Sequence, residues 1–184
     1  MSTLRIGLVY DVFGRTKKPH DAPDDWDAEY EPERTVEVLE QAIRRLDHEP
    51  VRIGNVAELL AAIKNERLDI DAALNISESY GSRNREAHAP ILLEIANIPC
   101  IGSDALTLSA TLDKHLAKLV ARQIGLNTPD WTVVKSLDDV EERRLPPFPV
   151  FAKPRYEGTA KGISPLSKCH NTEELVMEVS RVLS

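Results

Sequence analysis

The sequence predicts an α/β protein: a parallel-sheet N-terminal domain followed by a smaller α+β unit. Short apolar runs alternate with helix-periodic segments as far as about Gly102, and strands alternating with helices imply a mostly parallel sheet. Beyond that point the alternation gives way to strand-like runs grouped around a glycine-bearing turn. A chain of 184 residues has room for one domain and part of a second.

Leu4–Tyr10 (LRIGLVY) reads as a buried first strand. The stretch Asp11–Pro32 is polar and interrupted by prolines, with Trp26 and Tyr30 as aromatic anchors. Loops of that length in compact domains are usually functional or mobile. Val36, Leu39, Ala42, Ile43 and Leu46 recur at helical spacing and predict a helix over Glu33–Leu46. Val51–Ile53 is a short strand, and Asn55 is placed to cap a helix through Leu59, Leu60 and Ile63. Ile70–Leu74 reads as a further strand that opens into the polar loop NISESYGS.

A helix over Asn84–Ala96 and a strand over Ile98–Gly102 continue the alternation. Ser103 or Asp104 is placed to cap the turn that follows, and Gly125 ends a helix over Asp113–Ile124. TPDWTVV, PPFPVFAKP and GISPLS then read as strands, with RYEGTAKG as the turn between the last two and Thr172–Leu183 as a closing helix. In parallel sheets ligand sites gather at the carboxyl ends of the strands. The loops that begin at Asp11 and Asn75 lie there.

Composition removes several function classes. The formal net charge is −7 and there is no basic run, which argues against nucleic-acid and anionic-membrane partners. A phosphate site in such a chain needs locally placed lysines. No apolar stretch approaches membrane-spanning length, and the first run meets Asp11 too soon for a signal-peptide core. Cys100 and Cys169 match no metal-ligand spacing and read as reduced thiols of a cytoplasmic protein. Asp24, Asp25 and Asp27 read as a solvated face, and no metal-ligand set is predicted.

Lys114, Lys153 and Lys161 are the lysines that stand out, although a lone lysine reads first as a solvated surface charge. Lys153 closes the apolar run PVFA, a position that buries the stem and aims the ammonium at a site. Gly158 and Gly162 bracket Thr159, Ala160 and Lys161. Small residues let the backbone approach a ligand, and successive N–H groups form an anion-binding concavity. A hairpin turn that needs glycines for positive φ fits the same pattern equally well. The spacing is neither that of a Walker loop nor GxGxxG.

IPCIGSDALTLSATLDKHLAKLVARQIGLNTPDWTVV followed by FPVFAKPRYEGTAKGIS resembles the D-alanine–D-alanine ligase branch of the ATP-grasp superfamily. The shared pattern is an IPYTGS-like strand, a DK-containing helix, a G(L/V)PTP turn, a VKP strand and an EGSS-type glycine loop, in that order and spacing. The resemblance covers the whole chain and is strongest from Ile98 to Ser164. It implies a pre-ATP-grasp domain over 1–103, connecting helices over 104–127, and an incomplete central ATP-grasp subdomain over 128–184. It also implies an ATP-dependent ligase that phosphorylates a carboxylate and then admits an amine. Lys114 and Lys153 match the family's phosphate-contacting lysines; Glu157, Gly158, Thr159 and Lys161 fall in the loop over the triphosphate. ATP and Mg²⁺ are the implied cofactors, with the magnesium ligands expected beyond Ser184. A small amino acid is the implied partner, and homodimerisation or self-association through an unpaired strand edge is expected.

The sequence departs from that family at identifiable places. The glycine loop reads GTAKG where those ligases usually have two serines, and YDVFGRTKK lacks their glycine pair and SxE pattern. The second loop keeps Asn75 but continues ISESYGSRNRE in place of HGxxGEDG. Glu78, Tyr80, Arg83 and Arg85 are available to a substrate there; Arg83 and Glu86 read equally as an exposed helix start. Three functions therefore stand side by side: a D-alanine–D-alanine ligase, an ATP-grasp ligase for another amino acid or peptide, and a non-catalytic fragment or pseudoenzyme.

Overall fold

The computed structural model describes residues 2–142 and 144–183. The chain divides into two compact units, Met1–Thr111 and Leu112–Ser184. Its elements are β1 (Arg5–Tyr10), α1 (Glu33–Arg45), β2 (Glu49–Gly54), α2 (Val56–Lys64), β3 (Ala72–Ile76), α3 (His88–Ile95), β4 (Cys100–Ile101), α4 (Ala105–Leu112), α5 (Lys114–Gln123), α6 (Asp138–Glu142), β5 (Val150–Phe151), β6 (Lys168–Cys169) and α7 (Thr172–Leu183). No helix among the described residues is long and apolar enough to cross a membrane.

The first unit is a parallel sheet in the order β2-β1-β3-β4. β1 lies inside it, and alternate residues feed opposite faces. Ile6, Leu8 and Tyr10 join Val36 and Ile43 of α1 in one core, while Val9 joins Leu59, Ala73, Ala89 and Leu93 in the other. This two-sided burial is why the strand reads as a continuous apolar run. Gly7 is dictated by the same packing, since a Cβ there would lie 2.6 Å from the Ile53 and Ile70 Cδ1 atoms.

Asn55 caps α2 as its position predicts. Its Oδ1 accepts from the Ala57 and Glu58 N–H groups, and the Glu58 carboxylate accepts from the Asn55 N–H to complete a capping box. The predicted strand at Ile70–Leu74 is displaced to Ala72–Ile76, and the helix over Asn84–Ala96 begins as a 3₁₀ turn at Arg85–Ala87. Of the two capping candidates before α4, Asp104 accepts from the Thr107 N–H at 2.7 Å.

The second unit holds α5–α7 and a two-stranded antiparallel pair, β5 with β6. Two strand predictions fail here. TPDWTVV forms no strand among the described residues, because side chains rather than a ladder hold it. Lys118 Nζ donates to Thr128 Oγ1 and the Pro129 carbonyl, and Trp131 donates to His115. GISPLS is also not a strand. Ser164 caps a 3₁₀ turn at Pro165–Ser167 and the strand follows it. Pro165 has no N–H to give to a ladder.

Candidate functional site

Two groups of site residues emerge, one in each unit. In the first, the loops after β1 and β3 are joined at the carboxyl ends of their strands by Asp11. This buried carboxylate accepts from Ser77 Oγ at 2.7 Å and from the Glu78 and Ser79 N–H groups at 3.0 and 2.9 Å. In the sequence Asp11 stands only at the start of a loop; an acid ending a buried strand is the signal that marks it. The long loop folds back through a bridge between Val12 and Glu31, and buries Trp26 and Tyr30 edge to face.

The predicted substrate residues take different environments. Asn75 accepts the Ser77 N–H on its own side chain, an Asx turn that shapes the loop. Glu78 lines a small pocket of about 90 Å³ with Asn75, Glu86 and Ser103. Burial, followed by the charges of Glu86 and Glu29, raises its carboxyl to about 7. Tyr80 packs edge-on against Trp26 at 5.7 Å, and Arg83 is exposed. Arg85 is not a surface group: it is buried and its Nη2 donates to both oxygens of buried Glu29 at 2.8 Å. The structure thus gives Arg85 a structural partner that its sequence setting did not reveal. Glu29, Glu78 and Glu86 each offer an oxygen within 4.8 Å of the others.

In the second unit, the start of α5 and the glycine-bearing loop form one construction. Asp113 caps α5 by accepting the His115 and Leu116 N–H groups. The same carboxylate receives Arg155 in a fork, Nε at 2.7 Å and Nη2 at 2.6 Å, which lowers its pKa to about 2. The Lys114 N–H donates to the Arg155 carbonyl at 3.2 Å, and its Nζ donates to the Glu157 carbonyl. Lys161 is buried and ion-paired with the Glu157 carboxylate at 2.9 Å. Glu157 therefore engages two of the three lysines singled out in the sequence.

The loop itself is a built turn. Lys161 N–H donates to the Gly158 carbonyl and Ile163 N–H to the Ala160 carbonyl. Thr159 and Ala160 take φ of 43° and 58°, a left-handed conformation unfavourable for residues with a Cβ. A Cβ on Gly162, at φ +71°, would meet Pro154 Cγ at 2.7 Å. From the far side Arg181 of α7 donates to the Gly162 carbonyl at 2.7 Å, while its fork holds buried Glu178. The loop is not a tight hairpin: Ala152–Ser167 separates β5 from β6. Lys153 departs from the buried-stem expectation. It is exposed, with Nζ 5.7 Å from the centroid of the equally exposed Phe151 ring.

No protein-family model matches the chain. The D-alanine–D-alanine ligase of Aquifex aeolicus (strain VF5) is 30% identical over 149 residues, 79% of this chain and 49% of its own length. A putative D-alanine–D-lactate ligase of Streptomyces coelicolor is 35% identical over 85 residues, 46% of this chain and 24% of its own length. The chain resembles the D-alanine–D-alanine ligases of the ATP-grasp superfamily. It spans about half the length of the Aquifex relative. The crystal structure of a D-alanine–D-alanine ligase from Bacillus anthracis complexed with ATP superposes with a TM-score of 0.61 at 21% identity, covering 98% of this chain and 56% of that one. That likeness is one of fold.

The loop fits a phosphate. Thr159 and Ala160 are exposed, and their N–H groups donate to no described acceptor. Lys114 lies at the loop's root, one hydrogen bond from Glu157. A magnesium site does not fit the second unit: the carboxylate group able to hold a metal among the described residues, Glu29 with Glu78 and Glu86, belongs to the first.

Proposed function

We propose that this chain is the front portion of an ATP-dependent carboxylate–amine ligase of the D-alanine–D-alanine type. The observation that carries the reading is the joining of the Asp113–Lys114 helix start to Arg155–Glu157, residues some 42 positions apart. The resembling ligases support the family reading with it. ATP would give its terminal phosphoryl group to a carboxylate, with ADP leaving, to form an acyl phosphate that an amine then attacks with loss of phosphate and a proton. Lys114 exchanges the Glu157 carbonyl for a phosphate oxygen, and Lys153 meets the same triphosphate from solvent. The N–H groups of Thr159 and Ala160 cover it, with Gly158 giving the backbone clearance and Glu157 and Lys161 stiffening the turn. Preorganised donors of this kind stabilise charge that develops on the transferring group.

Asn75, Glu78, Tyr80 and Arg83 are proposed to meet the amino-acid substrate, with Glu78 available to its ammonium. The reading carries with it a cytoplasmic location, magnesium held by residues outside this chain, and pairing with a second copy. Amino-acid-dependent phosphate release from ATP and Mg²⁺ by the full-length form, screened over D- and L-amino acids, tests it. Release with D-alanine is expected. Release with L-amino acids only would move the assignment to another ATP-grasp substrate.

A second reading, nucleotide binding without turnover, is favoured by the lack of a carboxylate group for metal in the second unit among the described residues. Magnesium-dependent ligation by the purified chain would exclude it.

A further inference from the structure

The second unit contains an open cleft of about 580 Å³ beside the glycine-bearing loop's root, within the roughly 300–1,000 Å³ of small-molecule sites. Its walls are Trp131, Thr132, Val133 and Lys135, with His115 of α5, Arg144 and Arg155. In a chain of net charge −7, this gathering of cations and an imidazole runs against the composition. Lys135 and Arg144 are exposed and form no ion pair with a described carboxylate. Arg155 gives Nε and Nη2 to Asp113, which leaves Nη1 without a described acceptor.

The walls are fixed. Trp131 Nε1–H donates to His115 Nδ1 at 2.8 Å, so the ring proton sits on Nε2 and offers a further donor. Thr132 Oγ1 donates to the Arg144 carbonyl at 2.8 Å, tying the two sides together. Asp139 accepts from the Lys135 and Ser136 N–H groups at 2.6 and 3.2 Å, which holds the far end of the segment. Arg122 stacks on Trp131, 4.4 Å from the ring centroid, and fixes the indole. The fixed backbone keeps these residues facing the cleft, and the Arg144 guanidinium, unpaired among the described residues, can match phosphate oxygens.

We infer that this cleft binds a small phosphorylated molecule carrying at least two negative charges, at a site separate from the glycine-bearing loop. Lys135, Arg144, Arg155 Nη1 and His115 Nε2 supply the donors, and Trp131 forms the floor.

The two tryptophans provide the test, because Trp26 lies in the first unit and Trp131 in the cleft. The full chain is titrated with inorganic pyrophosphate at low salt while the two indole N–H resonances are followed by NMR; Trp131→Phe assigns them. A saturable shift of the Trp131 resonance with Trp26 unmoved is expected. The Lys135→Ala/Arg144→Ala variant, which removes exposed side chains and so retains its melting temperature, is expected to bind about tenfold more weakly or worse. Lys114→Ala is expected to leave the shift and its midpoint intact. No saturable shift, an unchanged midpoint in the double variant, or loss of the shift in Lys114→Ala would overturn the inference. None of these readouts depends on ligase activity.

Discussion

Asp113 and Arg155 are locked together by two parallel hydrogen bonds of 2.7 and 2.6 Å, and the same carboxylate caps α5. One side chain thereby fixes the helix that carries Lys114 and the stem of the loop that begins at Glu157. Removing it unties both. Asp113→Ala is expected to destabilise the second unit by about 2 kcal/mol, the sum of a lost cap and a lost charged fork. Urea unfolding followed by Trp131 fluorescence checks this; a loss below about 0.5 kcal/mol would contradict it.

The pH dependence of that pair has a definite sign. The Arg155 guanidinium holds the Asp113 carboxyl down at about 2, against 3.8 for an ordinary aspartate. A depressed carboxylate contributes stability that is present above the unfolded value and is lost as pH falls through the folded one. The stability gap between the native protein and Asp113→Asn is therefore expected to be full at pH 5 and to close between about pH 4 and pH 2.

Glu78 behaves in the opposite sense. Burial, then Glu86 and Glu29, raise its carboxyl from 4.5 to about 7. The folded state then holds a proton that the unfolded state releases, so stability falls as pH rises from about 4.5 to 7 and levels off above. Glu78→Gln is expected to match the native protein at pH 4.5 and to exceed it at pH 8 by about 1 kcal/mol, a value reduced for the side chain's partial exposure. Thermal unfolding at the two pH values measures the difference.

Buried Arg85 and Glu29 form a pair whose halves are unequal to its whole. Arg85→Met alone strands a buried carboxylate and is expected to cost about 3–5 kcal/mol. Arg85→Met with Glu29→Leu removes both charges and is expected to recover most of that loss. Denaturation of the two variants decides the point, and equal losses would show that Glu29 finds compensation elsewhere.

Backbone conformation separates two neighbouring small residues in the glycine-bearing loop. Gly162→Ala puts a Cβ 2.7 Å from Pro154 at positive φ, and a loss of about 2 kcal/mol is expected. Ala160 already carries a Cβ at φ 58°, so Ala160→Gly relieves strain and is expected to be neutral or stabilising by up to about 1 kcal/mol. Melting temperatures moving in opposite directions would bear this out.

Much of the first unit is legible in the sequence because its rules are local. β1 is buried on both faces and reads as an apolar run; Asn55 and Glu58 have the spacing of a capping box; α1 carries its periodicity openly. The second unit is less legible because its order comes from side chains far apart in sequence. TPDWTVV has strand composition, but Lys118, Arg122 and His115 fasten it to α5. Lys161 looks like a surface cation until Glu157 is folded over it. Motif order pointed to Lys114 and the loop together, whereas the residue that joins them, Arg155, belongs to no motif signal. Arg85 beside Glu29 was hidden for the same reason: nothing in either neighbourhood marks the other.

The phosphate role of Lys114, Lys153 and the Thr159–Ala160 backbone is the central claim, and ATP titration calorimetry on the purified chain tests it most directly. Saturable ATP binding is expected that weakens about tenfold or more in both Lys114→Ala and Lys153→Ala, while Lys17→Ala, at an exposed lysine of the first unit, leaves it unchanged. ATP affinity that is equal in all of these proteins, or absent from the native chain, would contradict it.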